Sequence, residues 1–411
     1  MDEDVKHTLS LKRLQTILGD FRTSISPSRF TMIEQANIKP REFLYGRSII
    51  RKYVSLLVAP GGVGKSALTI MQALAMVTGK PLLGEHVHRG ALRVSIMGLE
   101  DPYDELERRI IAACSHYGIT SQDIGGDDCR LFVNSGRDQK LCITMNSREG
   151  AIVDDGVKQD LIEEIKFKNI DVVIIDPFVS SHSASENDNV AMDAVAKAWA
   201  DIADKANCAI LLVHHSRKLN GEQISAEAAR GASSVLAAAR SGCVINPMTE
   251  NEAAKLGMDT HRGYFRVIDD KSNIAPPVDK SDWYRIVNVT LQNGDHVGVV
   301  ERWQPPNPYD AITPNVILMI QSAVAGQGYR ENVQAKLWVG HIVGKIIGFD
   351  ASTSAGRFRA NVLMRSWIEE GYFIVVERPD ENRRPRKFVE VGQFIQVAPP
   401  DNAGAGYSGA V

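Results

Sequence analysis

The stretch YVSLLVAPGGVGKSALTIMQALAMV, residues 53–77, decides the fold. An apolar run, a glycine-rich turn and a second, periodic apolar run follow one another directly. That order reads as a buried strand, a tight loop and a helix. Gly64-Lys65-Ser66 ends a G-x-x-x-x-G-K-[ST] pattern between the strand and the helix, the context in which the pattern is meaningful. Ala59 replaces its first glycine, at a position that starts the turn rather than touching phosphate. Gly61, Gly62, Val63 and Gly64 can turn backbone N–H groups onto phosphates, and the helix opening at Lys65-Ser66-Ala67 adds its partial positive charge. Lys65 is expected to reach the β- and γ-phosphates of ATP, and Ser66 to ligate Mg2+.

Outward from this loop, strand-like and helix-like segments alternate. ALRVSIMGLE, CRLFVNS, DVVIIDPF and CAILLVHHS read as buried strands; YDELERRIIAACSHY, DDGVKQDLIEEIKFK and NVAMDAVAKAWADIADKA read as helices. This alternation predicts an α/β domain with a mostly parallel sheet covered on both faces. GYFRVIDDKSN and WYRIVNVTLQNGDHVGVVERW predict further strands and a hairpin at its far edge, turning at Gln292-Asn293-Gly294-Asp295. The expected organisation is an arm over 1–40, an ATPase domain over 41–304 and a Pro/Asn-rich linker over 305–315. A small domain over 316–398 and a disordered Gly/Ala/Pro-rich tail over 399–411 complete it.

Composition narrows the class. Of 411 residues, 44% are hydrophobic and 24% charged, as in an ordinary globular protein, and the length suits two or three domains. The net charge of −3 excludes binding of polyanions by bulk charge, so any nucleic-acid surface is local. Five scattered cysteines without a CxxC pair fit reduced thiols rather than a disulfide framework or zinc site. The charged start MDEDVKHTLSLKRL has no apolar core of an export signal, and no run spans a membrane; the expected location is cytoplasmic.

The remaining site candidates sit at strand ends. Asp176 closes DVVIID, a Walker B pattern that would hold magnesium, but Pro177 follows where a glutamate often polarises the attacking water. Glu100, ending ALRVSIMGLE on a strand expected beside the P-loop strand, is the candidate base, with Asp101 next to it. His214 and His215 close CAILLVHHS, where a polar side chain can sense the γ-phosphate; on a strand they face opposite ways and form no compact zinc pair. The loops 180–189 and 221–234 follow strands at the carboxyl edge, where α/β folds place ligands. Arg230 and Arg240 flank the strand-like VLAAA, and either can act as a finger for a neighbouring subunit's site.

APGGVGKS, the glutamate of SIMGLEDP, VIIDPF, LLVHHSRK, RGASSVLAAARSG and DDKSN occur in the order seen in RepA-type RecA-fold ATPases. The chain over residues 40–305 resembles these hexameric plasmid and phage replicative helicases, relatives of the DnaB group. The resemblance implies Lys65 and Ser66 on nucleotide and magnesium, Glu100 as base, Asp176 on magnesium, and His214 or His215 as sensor. It further implies Arg240 as a finger in trans and Lys271 toward the neighbouring phosphate. DnaB-like proteins carry an arginine two residues after that lysine, whereas Asn273 stands here.

After the linker, three helix-like segments precede FIVVERP and RKFVEVG, the order of a winged helix-turn-helix. Residues 326–398 hold eleven Lys/Arg against eight Asp/Glu, with Arg357, Arg359 and Arg365 around the third helix and Arg383, Arg384, Arg386 and Lys387 at the wing tip. Such a module suits duplex DNA, or alternatively protein docking. The expectation is an ATP-driven, ring-shaped, hexameric motor on single-stranded DNA; the alternative is a nucleotide-switched loader that binds DNA without unwinding it.

Overall fold

The computed structural model describes residues 27–147, 150–216, 232–256, 258, 260–272, 281–305, 312–380 and 382–396. The amphipathic stretch of the arm (9–21), Arg230 and the tail lie outside the described residues. Residues 27–41 form a unit of their own, with one 3-10 turn at Gln35–Asn37.

From Glu42 onward the chain builds a nine-stranded sheet. Its strands are β3 (Val54–Pro60), β4 (Val94–Gly98), β5 (Leu131–Ser135), β8 (Val172–Asp176), β9 (Ala209–Ser216), β10 (Ser241–Pro247), β11 (Tyr264–Ser272), β12 (Ser281–Thr290) and β13 (His296–Trp303). The order is β13-β12-β11-β10-β3-β9-β8-β4-β5, parallel from β10 to β5 and antiparallel from β10 to β13. This is the mostly parallel α/β arrangement that the strand–helix alternation predicts. Short ladders β1 (Phe43–Tyr45) with β2 (Ile49–Ile50), and β6 (Thr144–Ser147) with β7 (Gly150–Val153), lie outside the large sheet.

Both faces of the parallel part are buried, and the strand period of two divides the residues between them. On one face Leu57, Ala59, Val172 and Ile174 pack with α1 (Lys65–Thr78) and α2 (Tyr103–Tyr117). On the other, Leu56, Val58, Val173 and Ile175 pack with α3 (Asp155–Phe167), α4 (Asn189–Ala206) and α5 (Ala232–Ala238), around the fully buried Trp199. Asp154 and Asp188 cap α3 and α4 by accepting from the N–H groups of Gly156 and Val157 and of Val190 and Ala191. Gly79, Gly118 and Asn207 end α1, α2 and α4 in the left-handed conformation.

Two expectations are corrected. The strand bearing Glu100 is not beside the P-loop strand: β4 pairs with β8 and β5, while β9 lies between β3 and β8. Hydrophobicity marks a strand as buried but carries no information about its partner. VLAAA is not a strand either; its first four residues belong to α5, and the strand is the following Ser241–Pro247. Alanine, the best helix former, decides that short run.

The β12–β13 hairpin does not extend away from the sheet; it folds back over α1 and α2. The Tyr117 hydroxyl donates to the Val300 carbonyl at 3.0 Å, His116 Nε2 lies 2.8 Å from Glu301, and Arg108 Nε is 2.7 Å from Asp295 at the turn. Its turn closes at Leu291–Asp295, where Gly294 takes φ +90°.

The last part comprises α6 (Glu250–Lys255), which follows β10, then α7 (Pro314–Val324), α8 (Val339–Ile347), α9 (Ser354–Glu369), β14 (Phe373–Pro379) and β15 (Pro385–Val391). Trp338, Trp367 and Phe373 anchor the separate core of α7–α9 and the β14–β15 hairpin. Asp380 organises the hairpin tip by accepting from the N–H groups of Asn382 and Arg384. Among the described residues, no helix is long and apolar enough to cross a membrane.

One buried group makes stability measurably dependent on pH. His182, 7% exposed behind β8 and 4.7 Å from the Phe178 ring, has its pKa lowered to about 4 by burial first, and by His214. A depressed histidine pKa means that the unfolded chain takes up the proton first. Stability is therefore full above the ordinary value of 6.5 and is lost as pH falls through about 4. The loss assignable to this group is on the order of 3 kcal/mol. Urea unfolding at pH 7 and pH 4 should show His182→Phe losing less stability over that interval than wild type; equal losses would show that His182 is not the group responsible.

Candidate active site

The parallel register brings the functional side chains to one edge. Ala59 pairs with His215, Pro60 with Ser216, and Gly98 with Asp176, so β3 ends with β9 and β4 with β8, the first two running three residues further at the same carboxyl edge. The loop after β3 turns through Gly62 (φ +77°) and Gly64 (φ +100°), conformations that favour glycine. Gly64 also accommodates the hairpin, since a Cβ there would meet Ile286 Cδ1 at 2.8 Å. As N-cap of α1 it offers no side-chain acceptor, so the first N–H groups of the helix remain available to an anion.

Lys65 is only 6% exposed. Its Nζ donates to the Pro60 carbonyl at 3.3 Å and lies 2.8 Å from Nδ1 of His215. An ammonium has no acceptor, so His215 receives this bond on a deprotonated Nδ1. Burial lowers the Lys65 pKa, against the opposing pull of Asp176 and Glu100. Burial likewise lowers that of His215, helped by Lys65, which favours the neutral ring the contact needs. The adjacent His214 points the other way: it is fully buried, its ring 5.9 Å from Phe178 and its Nδ1 3.9 Å from Glu186. The pair thus divides, with His215 in the cleft and His214 behind it.

Asp176 is 9% exposed, and burial raises its pKa, opposed by a hydrogen bond from Ser66 and by the Lys65 charge. The Ser66 hydroxyl and the Asp176 carboxylate thus share one spot, an oxygen pair suited to a hard cation. Among the described residues no three His, Cys, Asp or Glu side chains cluster as a metal site. This donor set fits magnesium completed by phosphate oxygens and water, its usual manner of binding.

Glu100 and Asp101 are distinguished by their partners. Asp101 is 2.7 Å from Arg109, and Arg109 also binds Glu105 at 2.9 Å. Glu100 is exposed to the cleft, and among the described residues its carboxylate has no hydrogen-bond partner; only its backbone carbonyl accepts, from Arg137. It is the carboxylate still able to orient a water.

The cleft of about 660 Å³ gathers Gly62, Gly64, Lys65, Ser66, Ala67, Glu100, Asp176 and His215. It also contains residues that sequence reasoning missed: Arg108 and Arg109 of α2, and Ile286, Asp295, His296, Val297 and Gly298 of the hairpin. The adjacent arginines two turns into α2 were the available signal. Nothing in the hairpin's own residues marks it as a cleft wall.

The other candidates lie elsewhere. Arg240 is exposed just before β10, its guanidinium 6.0 Å from the Tyr53 ring, and its N–H donates to the carbonyl of Val54. That is the amino edge of the sheet, whereas the P-loop is at the carboxyl edge. Lys271 lies at the same amino edge but is engaged: its Nζ donates to the Leu236 carbonyl at 2.5 Å and approaches that of Ala237, capping α5. Burial first, and Arg240 next, lower its pKa.

Residues 23–221 match the protein family described as AAA domain, a segment that contains the P-loop, Glu100, Asp176 and both histidines. The match covers just under half of the chain. Two solved structures are similar to the chain. One is the ATPase domain of G40P, at 12% identity over 61% of this chain and 86% of that one, TM-score 0.43. The other is a DnaB-like replicative helicase described with its interactions with primase, at 15% identity over 61% of this chain, TM-score 0.43. The match spans 59% of the length of that helicase.

The contrast between the two acidic neighbours is testable by exchange of single atoms. Glu100→Gln should bind Mg·ATP normally and hydrolyse it on the order of a hundredfold or more slowly, whereas Asp101→Asn should keep turnover within a few fold. The reverse ranking in a steady-state ATPase assay would make Asp101 the base.

Proposed function

We propose that this chain is an ATP-hydrolysing motor on DNA, working as a ring of identical subunits, with six as the expected number. The reading is carried by the separation between a complete phosphate-binding edge and an exposed arginine at the opposite edge of the same sheet. β3 has seven residues, about 20 Å of strand, so Arg240 does not reach its own P-loop. A finger role for Arg240 therefore requires a second subunit.

Each step then falls to residues of this chain. The P-loop N–H groups and Lys65 bind the phosphates of ATP. Ser66 and Asp176 would hold magnesium, which screens the phosphate charge when bound. Glu100 orients and deprotonates the attacking water. The γ-phosphate competes with His215 for the Lys65 ammonium, so His215 changes partner when ATP binds and again when phosphate leaves. His215 lies one residue before the end of β9, so its change of partner acts at the carboxyl end of that strand.

The basic C-terminal module fits a winged helix on duplex DNA. Arg357 and Arg365 are exposed on α9, and Arg383, Arg384, Arg386 and Lys387 are exposed at the hairpin tip. The arrangement suits a helix in the major groove with the tip on phosphates. It also supports the second reading, a nucleotide-switched loader that grips DNA without unwinding it. Strand displacement on a forked substrate separates the two.

Sharing of the site between subunits has its own test. A finger contributes roughly 10³–10⁵ in turnover, far more than a surface ion pair. Arg240→Ala should lose turnover while retaining nucleotide affinity, and Lys65→Ala should be inactive as well. Mixtures of the two should regain activity, because some interfaces then combine an intact P-loop with an intact arginine. Exchanged subunits without recovered turnover would remove Arg240 from the mechanism.

A further inference from the structure

A second cavity, of about 240 Å³, lies between the β1–β2 turn, α1 and strands β10–β12. None of its residues takes part in the phosphate site. Three side-chain atoms on its walls are buried without a hydrogen-bond partner among the described residues: the Tyr45 hydroxyl, Oε1 of Gln72 and Oδ1 of Asp269. Tyr45 itself is only 2% exposed. Each such orphan is destabilising unless something in the cavity satisfies it, so three on one cavity point to an occupant.

The chemistry of the walls selects that occupant. Two of the three orphans are pure acceptors, and the third can accept as well. Three carboxylates, Glu85, Asp269 and Asp282, line the space with a single lining cation, Arg47. Asp282 is neutralised by Arg302, 2.5 Å away. Gly46 takes φ +50° in the β1–β2 turn, and a Cβ there would meet Glu85 Oε2 at 2.6 Å, so the turn admits this carboxylate closely. Tyr45, Tyr284 and Cys243 add no negative charge: burial raises all three pKa values, that of Cys243 to about 12. Burial raises the Asp269 pKa as well, opposed by Arg47, and by count the three carboxylates exceed Arg47 and Arg302 by one.

We propose that this cavity is a binding site for a small organic cation that enters by a terminal guanidinium or primary ammonium group. Such a group donates several hydrogen bonds at once, to Asp269 Oδ1, Gln72 Oε1 and the Tyr45 oxygen, while its charge offsets the excess carboxylate. Water alone would satisfy the orphans but not the charge. Gln72 lies on α1, two turns beyond Lys65, so an occupant contacts the helix that carries the phosphate-binding lysine.

The test is calorimetric titration of the full chain, its phosphate cleft first saturated with Mg·ADP, using agmatine, putrescine and uncharged 1-butanol. Wild type should bind agmatine or putrescine saturably and 1-butanol not at all. Asp269→Asn and Tyr45→Phe should each weaken the amine by about tenfold or more, the scale of one lost charge-assisted or buried hydrogen bond. Unchanged Mg·ADP affinity in both variants verifies that the fold is intact. Absence of saturable amine binding to wild type would mean that the cavity holds water only, and equal binding by wild type and both variants would place the amine on surface charge; either result overturns the proposal.

Discussion

A buried ammonium organises this molecule. Lys65 is nearly inaccessible at the start of α1, and burial works against its charge. The fold compensates with fixed acceptors and opposite charges: the Pro60 carbonyl, His215 Nδ1, and the nearby carboxylates of Asp176 and Glu100. Each of these comes from the end of a different strand or from the loop between β3 and α1. They converge because the parallel register brings the carboxyl ends of all four strands to one edge, with β3 and β9 reaching three residues beyond β8 and β4. The same charge helps to lower the His215 pKa and opposes the rise that burial imposes on Asp176, favouring a neutral ring and an ionised carboxylate. The neutral ring accepts from Lys65, and the carboxylate remains able to hold a cation.

The β12–β13 hairpin makes this edge a cleft. Without it, α1 and α2 would present an open face beside the P-loop. With it, Ile286 rests against Gly64 and Asp295 is fastened to Arg108. Gly64 therefore meets two demands at once, a left-handed backbone for the phosphate turn and space for an isoleucine side chain. Arg108 and Arg109 are each committed to carboxylates, Arg108 to Asp295 and Glu105 and Arg109 to Asp101 and Glu105. They brace the wall and leave Glu100 as the carboxylate facing the cleft.

Much of this was legible because the signals are local. The strand–loop–helix at residues 53–77, the Asp176 strand end and the boundaries of α2 depend on neighbours in sequence, and α2 runs from Tyr103 to Tyr117 as the pattern predicts. What failed depends on distant partners. The insertion of β9 between β3 and β8 is a matter of which strands pair, and every one of them is equally apolar. The hairpin's return over α1 and α2 follows from the coiling of a nine-stranded sheet, which no single segment records. Val235-Leu236-Ala237-Ala238-Ala239 is ambiguous for another reason: so short an apolar run fits helix and strand alike.

The two edges of the sheet finally bear on how the arginines and lysines should be ranked. Lys271 and Arg240 occupy the same amino edge, yet they differ in what already satisfies them. Lys271 closes the carbonyl end of α5, where a cation is favourable for the helix as well as for itself, and withdrawing it would expose those carbonyls. Arg240 has an aromatic face at 6.0 Å and solvent around it, so redirecting it costs little. The replacement of an expected arginine by Asn273 removes the other cation from the DDKSN segment. A phosphate brought to this edge by a second copy of the chain would therefore meet Arg240 first, and Lys271 only by dismantling a helix end.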